Sequence, residues 1–121
     1  MGKTFEELNG LVVDWAEDRN IIGGSTVRDQ YIKAVSEMGE LGDAILKNNK
    51  DEVEDAIGDV MVCLINLSKI SDISMIACLE GAYDVIKTRK GVMWNGSFVK
   101  DTDPNYERIK KHLNGEIDEK I

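Results

Sequence analysis

The chain has one proline, two cysteines and one histidine in 121 residues, and aromatic side chains make up only 6% of it. Each scarcity excludes something. With Pro104 as the only proline, nothing before it carries the residue that most strongly breaks helices. Cys63 and Cys78 sit in the apolar stretches VMVCLINL and MIACLEG and lack the paired spacing of a zinc site, so they read as small core residues. His112 stands alone near the polar C-terminus and is given no role. No apolar run approaches the roughly 20 residues of a membrane helix, and the start, MGKTFEELNG, lacks the apolar core of a signal peptide. A cytoplasmic protein that does not engage the membrane is the expectation. Positive charge is also short, with 15 basic residues against 23 acidic and a net charge of -8. That argues against a nucleic-acid surface, which needs a clustered positive face. An anionic substrate would need metal ions to reverse the sign of an acidic pocket.

What is present is helical periodicity almost throughout. Thr4 with Glu7 makes a capping box ahead of Phe5, Leu8, Leu11, Val12 and Trp15. NIIGG, from Asn20 to Gly24, reads as the exit loop. Ser25 or Thr26 caps a second helix that runs to about Leu46, and Asn48 and Asn49 break and restart the chain. The third helix, from about Asp51 to Ile70, is the most apolar; a fourth spans about Ser74 to Arg89. GVMWNGSFVKDTD is expected to be an extended loop or a short irregular hairpin. Asp103 and Pro104 then open a last helix, from Pro104 to about Leu113, followed by a frayed charged tail, GEIDEKI. The sum is an all-α four-helix bundle in a single domain over residues 1–121, with a C-terminal loop and short helix.

Two acidic pairs interrupt this apolar pattern. Residues three and four apart share a helix face. Gln30, Lys33, Glu37 and Glu40 therefore fall on one stripe of the second helix, beside an apolar arc of Val27, Tyr31, Ala34, Met38, Leu41 and Ile45. Glu52, Asp55 and Asp59 share a stripe of the third helix, bordered by Val53, Ala56, Ile57 and Val60. If both apolar arcs face one core, the acids border one crevice. Solvated faces explain most such charges, and Glu37 can simply pair with Lys33. Asp59 is harder to dismiss, because it enters the most apolar helix directly after Gly58. Carboxylates crowded in a cleft repel one another unless a cation joins them, and magnesium takes such oxygen ligands together with substrate phosphates.

The pattern Gln30-x-x-Lys33-x-x-x-Glu37-x-Gly39-Glu40-Leu41, followed by Asp55-Ala-Ile-Gly58-Asp59-Val60, resembles the MazG-like branch of the all-α nucleoside triphosphate pyrophosphohydrolases. DWAEDRNII in the first helix and RKGVMWNGSFVKDTD after the fourth extend the resemblance over roughly residues 5 to 103. It implies an all-α fold assembled as a homodimer or homotetramer. It also implies hydrolysis of nucleoside or deoxynucleoside triphosphates to the monophosphate and pyrophosphate, using magnesium, for which manganese can substitute. Glu37 and Glu40 match the E-x-x-E half of the family signature, and Asp59 matches the last position of E-x-x-D. Ala56 departs from it, standing where the family has Glu. Asp55 is the nearest substitute, and a rival register takes Glu52 with Asp55.

The resemblance thus makes Glu37, Glu40, Asp55 and Asp59 the expected metal-binding and catalytic set. Lys33, Arg89, Lys90 and Lys100 are candidates for phosphate contacts. A salt bridge to Glu37 explains Lys33 as well, and helix C-terminal placement explains Arg89 and Lys90. Trp15, Trp94 and Asn95 are candidates for the base, against packing for the rings and turn formation for the amide. A chain without catalysis, a helical module binding metal or nucleotide, is the competing expectation, and Ala56 is the residue that favours it.

Overall fold

The computed structural model describes residues 2–115. It contains helices α1 (Phe5–Asp18), α2 (Ile21–Gly24), α3 (Val27–Leu46), α4 (Lys50–Ile70) and α5 (Met75–Ile86), strands β1 (Gly91–Trp94) and β2 (Ser97–Lys100), and helix α6 (Tyr106–Leu113). The chain is mainly helical, as expected, and divides into two compact units, Met1–Glu80 and Gly81–Ile121. The charged tail from residue 116 onward lies outside the described residues. Among the described residues no single helix is long and apolar enough to cross a membrane.

Local chemistry sets most boundaries in the first unit. Thr4 and Glu7 form the capping box of α1, and Thr26 forms one with Asp29 at the start of α3. Asn49 caps α4 by accepting from the backbone N–H of Glu52 at 3.2 Å. Asn48, at φ 55°, takes the left-handed conformation that turns the chain between α3 and α4. NIIGG departs from the expected loop: Asn20, also left-handed at φ 59°, starts the one-turn α2. Ser25 donates back to the Ile21 carbonyl, and Gln30 Nε2 donates to Ser25 Oγ at 3.1 Å, tying that turn to α3.

The dominant packing is α3 along α4, with α1 and α2 laid on α4. The seam differs from the expected apolar arc. On α3 the buried side chains are Gln30, Ala34, Glu37 and Ala44, whereas Tyr31, Met38 and Ile45 are more than half exposed. Positions 30, 34, 37, 41 and 44 form one continuous stripe, so Ala34 belongs with the polar residues rather than with Tyr31. On α4 the buried set is Ala56, Cys63, Ile65, Asn66 and Ser68. Small side chains let the two backbones approach closely and carry the acidic stripe inward. No large side chain among the described residues is fully buried.

The second unit is a hairpin and a helix. β1 and β2 pair antiparallel, Gly91 opposite Lys100 through Trp94 opposite Ser97, joined by Asn95 and Gly96 at φ 49° and 80°. Two successive positive φ values make the turn whose twist matches paired strands. The segment is therefore a regular hairpin rather than an irregular one. Gly91 admits no side chain, since the Val99 carbonyl and the Phe98 ring occupy the space. α6 buries Ile109, and His112 sets its ring edge-on to Trp94 with centroids 5.1 Å apart. Two ends differ from expectation. α5 stops at Ile86, and Lys87 to Arg89 close turns onto Tyr83 and Ile86. α6 starts at Tyr106, because the Asp103 carboxylate accepts from the Asn105 N–H at 2.8 Å and folds the chain around Pro104 into a turn.

Removing the Thr26 hydroxyl leaves the first turn of α3 without its side-chain acceptor. Thr26→Ala should cost about 1 kcal/mol in a urea titration followed by circular dichroism, whereas Thr26→Ser should stay near the parent.

Candidate functional site

α3 and α4 together enclose a cavity of about 320 Å³ lined by Glu40, Asp43, Lys47, Glu52, Asp55, Ala56 and Asp59. Helical spacing explains the convergence: 40, 43 and 47 recur along one side of α3, and 52, 55, 56 and 59 along one side of α4. Three of the four expected acids, Glu40, Asp55 and Asp59, thus share one wall system. Glu52 is on it too, so the acids of both possible registers face the same space. Asp43 and Lys47 were not singled out from the sequence, although Asp43 lies one turn beyond Glu40 and Lys47 one turn beyond Asp43. The methyl group of Ala56 lines the cavity at the position where the family signature has Glu.

Glu37 occupies the seam just behind this cavity and is buried. Lys33 Nζ stands 3.1 Å from its Oε1, a contact that raises the lysine's proton affinity through hydrogen bonding and charge. Glu37 Oε2 has no hydrogen-bond donor. Glu40 is the neighbour able to supply one, when protonated. The two carboxyls accordingly separate. Glu40 is held above its ordinary value by hydrogen bonding and charge from Glu37, while Glu37 is held below by hydrogen bonding to Glu40 and to Lys33. Asp59 is raised as well, first by burial and then by the charges of Asp55 and Glu37.

Among the described residues no group of three or more His, Cys, Asp or Glu converges tightly enough to hold a metal ion as the side chains stand. The donor set nonetheless suits a hard divalent cation. It is made of carboxylate oxygens, one of them buried without a donor; Glu37 raises the proton affinity of Glu40, and burial followed by the charges of Asp55 and Glu37 raises that of Asp59.

A second depression, an apolar groove of about 340 Å³ between α1 and α4, is lined by Leu8, Leu11, Val12, Trp15, Val62 and, again, Asp59. Trp15 is 44% exposed there, with the Arg19 guanidinium 4.8 Å above its ring. The remaining candidates lie in the second unit. Arg89, Lys90 and Lys100 are exposed, Asn95 forms the hairpin turn, and half-buried Trp94 packs on His112.

The raised proton affinity of Asp59 has a direct consequence for stability. Its unfolded value is near pH 3.9 and its folded value is higher, so ionisation costs folding energy above that range and nothing below it. Without divalent ions, Asp59→Asn should melt at a higher temperature than the parent at pH 7. The gain should close as pH falls below about 4, a trend that thermal unfolding at a series of pH values will show.

Residues 29–93 match the MazG nucleotide pyrophosphohydrolase domain. The chain is also 40% identical over 72 residues to an uncharacterized 18.2 kDa protein in the rep-hol intergenic region of Haemophilus phage HP1; the match covers 60% of this chain and 44% of that relative. The chain thus spans less than half the length of the curated relative it matches. No solved structure matches. The matched residues contain most of α3, all of α4 and every acid of the cavity, and on that basis the chain belongs to the MazG nucleotide pyrophosphohydrolase family.

Proposed function

We propose that the chain, acting as one functional domain over residues 1–121, hydrolyses nucleoside or deoxynucleoside triphosphates to the monophosphate and pyrophosphate with the help of magnesium. The observation that carries this reading is the meeting of α3 and α4 carboxylates around a single cavity inside the segment that matches the family. Glu37, Glu40, Asp55 and Asp59 would hold the cation, with Glu52 at the rim. Magnesium bound there would neutralise charge on the phosphate chain and lower the pKa of a bound water.

The chain's own residues supply the rest. The packed seam fixes the carboxylates against each other and keeps their orientation through the reaction. Lys33 holds the Glu37 carboxylate ionised by its 3.1 Å ion pair. A carboxylate of this acidic set left free by the cation would take the proton from the attacking water. Lys47 brings a cation to the acidic cavity and can meet a phosphate oxygen. The exposed Arg89, Lys90 and Lys100 are proposed as further phosphate contacts from the family pattern, and Asn95 as a base contact on the same ground. Manganese should substitute for magnesium in this all-oxygen set.

Exposed apolar faces support assembly. Tyr31, Ile32, Val35 and Met38 on α3 are each more than half exposed, as are Leu79, Tyr83, Val85 and Ile86 on α5. Apolar area on that scale supports a homodimer or homotetramer in which these faces are covered.

The reading is tested by following pyrophosphate release from a panel of common and damaged triphosphates, with and without magnesium. Release should require the metal, and Glu40→Gln and Asp59→Asn should each reduce kcat at least about 100-fold while leaving the circular dichroism spectrum unchanged. Magnesium should also raise the melting temperature of the parent and of neither variant. Metal-induced stabilisation without any release would instead favour a binding module, with Ala56 as the lost ligand.

A further inference from the structure

A cavity of about 500 Å³ opens where α1 meets the C-terminal end of α4 and the turn into α5. It shares no lining residue with the acidic cavity or with the apolar groove, and it has the size of a small-molecule site. Its polar groups are mostly acceptors without partners. Asn9 of α1 lines it, and the Asn9 Oδ1 is buried with no donor. Asp14 on α1 and Asp72 in the turn after α4 are exposed, and among the described residues neither carboxylate has an ion-pair partner. Ser68 gives its hydroxyl proton to the Leu64 carbonyl at 2.8 Å, which leaves its oxygen as a further acceptor. Lys69 is the only cation of the described lining, and its ammonium leans toward Glu17, 3.9 Å away and outside the cavity.

Val13, Ile65, Ile73 and Met75 supply an apolar wall. Gly10 adds room: it stands inside α1, where glycine is a poor helix former, and a side chain there would meet nothing within 4 Å. No contact among the described residues calls for glycine at that point; an occupant lying against α1 would. Such an occupant must bring hydrogen-bond donors, positive charge and an apolar body. A bare metal ion does not meet those terms. The space far exceeds an ion, two carboxylates are too few, and no metal-holding group of side chains converges among the described residues. We infer that this cavity binds an aliphatic amine carrying two or more ammonium groups. Asp14 and Asp72 each take an ammonium through charge-assisted hydrogen bonds, Asn9 and Ser68 offer further acceptors, and the methylene chain lies on the apolar wall. The net charge of -8 draws such cations toward the chain. Bound there, the amine ties α1 to the turn that starts α5.

The test is calorimetric titration of the full chain with 1,4-diaminobutane and with spermidine at constant ionic strength, together with thermal unfolding in the same solutions. Butylamine and 1,4-butanediol serve as controls. Both polyvalent amines should saturate one site per chain and raise the melting temperature. Butylamine, with one ammonium, should bind at least about 10-fold more weakly, and the diol should not bind. Asp14→Asn and Asp72→Asn should each weaken diamine binding by about 10-fold; Asn suits the left-handed backbone of residue 72, at φ 57°. Lys69→Gln should tighten binding by removing the resident cation. Glu40→Gln and Asp59→Asn make the same change in net charge within the acidic cavity and should leave the diamine affinity unchanged. Loss of binding in those two variants, with Asp14→Asn and Asp72→Asn unaffected, overturns the inference, since the amine would then sit among the carboxylates of the acidic cavity. Stabilisation that sodium chloride or butylamine reproduces also overturns it, being charge screening. So does a diol that binds as tightly as the diamine, which marks a polyol site, or the absence of both heat and a melting shift with either amine.

Discussion

Everything in the first unit depends on how closely α3 and α4 approach. Ala34, Ala44 and Ala56 are buried along that seam, and the short side chains leave no bulk to push the helices apart. Close approach brings carboxylates from both helices to one cavity; Glu37 on the seam raises the proton affinity of Glu40, and burial followed by the charges of Asp55 and Glu37 raises that of Asp59. A wider seam of leucines would bury more apolar area and separate the acids. The fold gives up hydrophobic stabilisation at this seam for a crowded arrangement of like charges, which is the kind of local conflict expected where a protein binds or reacts.

The sequence made the element boundaries legible where short-range chemistry decides them. The capping boxes at Thr4 and Thr26 and the Asn49 cap fall where the residues place them, because each depends on groups only three positions apart. Local signals also misled. Asn20 reads as a loop residue, yet its left-handed backbone starts α2. Pro104 reads as a first helical position, yet the Asp103 carboxylate captures the chain before the helix begins. In both cases two local motifs compete for the same backbone groups, and sequence alone does not rank them.

The site was legible in part, and for a different reason. The spacing of Glu40, Asp55 and Asp59 placed them on facing stripes, and they do share a cavity. Asp43 and Lys47 escaped notice because a charge near a helix C-terminus is so often solvated. The larger error concerned the direction of α3. The arc of Tyr31, Met38 and Ile45 is the more hydrophobic, so periodicity assigns it to the core; the helix instead turns its Gln30, Ala34, Glu37 and Ala44 stripe inward. Hydrophobic periodicity reports which face avoids water and not what covers it. A face meant for another copy of the chain and a face meant for its own core carry the same signature.

The thin seam has a calorimetric consequence. Unfolding heat capacity follows the apolar surface newly exposed, about 0.45 cal/K/mol for each Å². The described residues bury no large side chain completely, so an isolated chain has less such surface to release than one with a full core. Its stability curve should be shallow, varying little with temperature on either side of a low maximum. Covering the exposed faces of α3 and α5 would steepen that curve, making the heat capacity of unfolding itself a report on how many copies stand together.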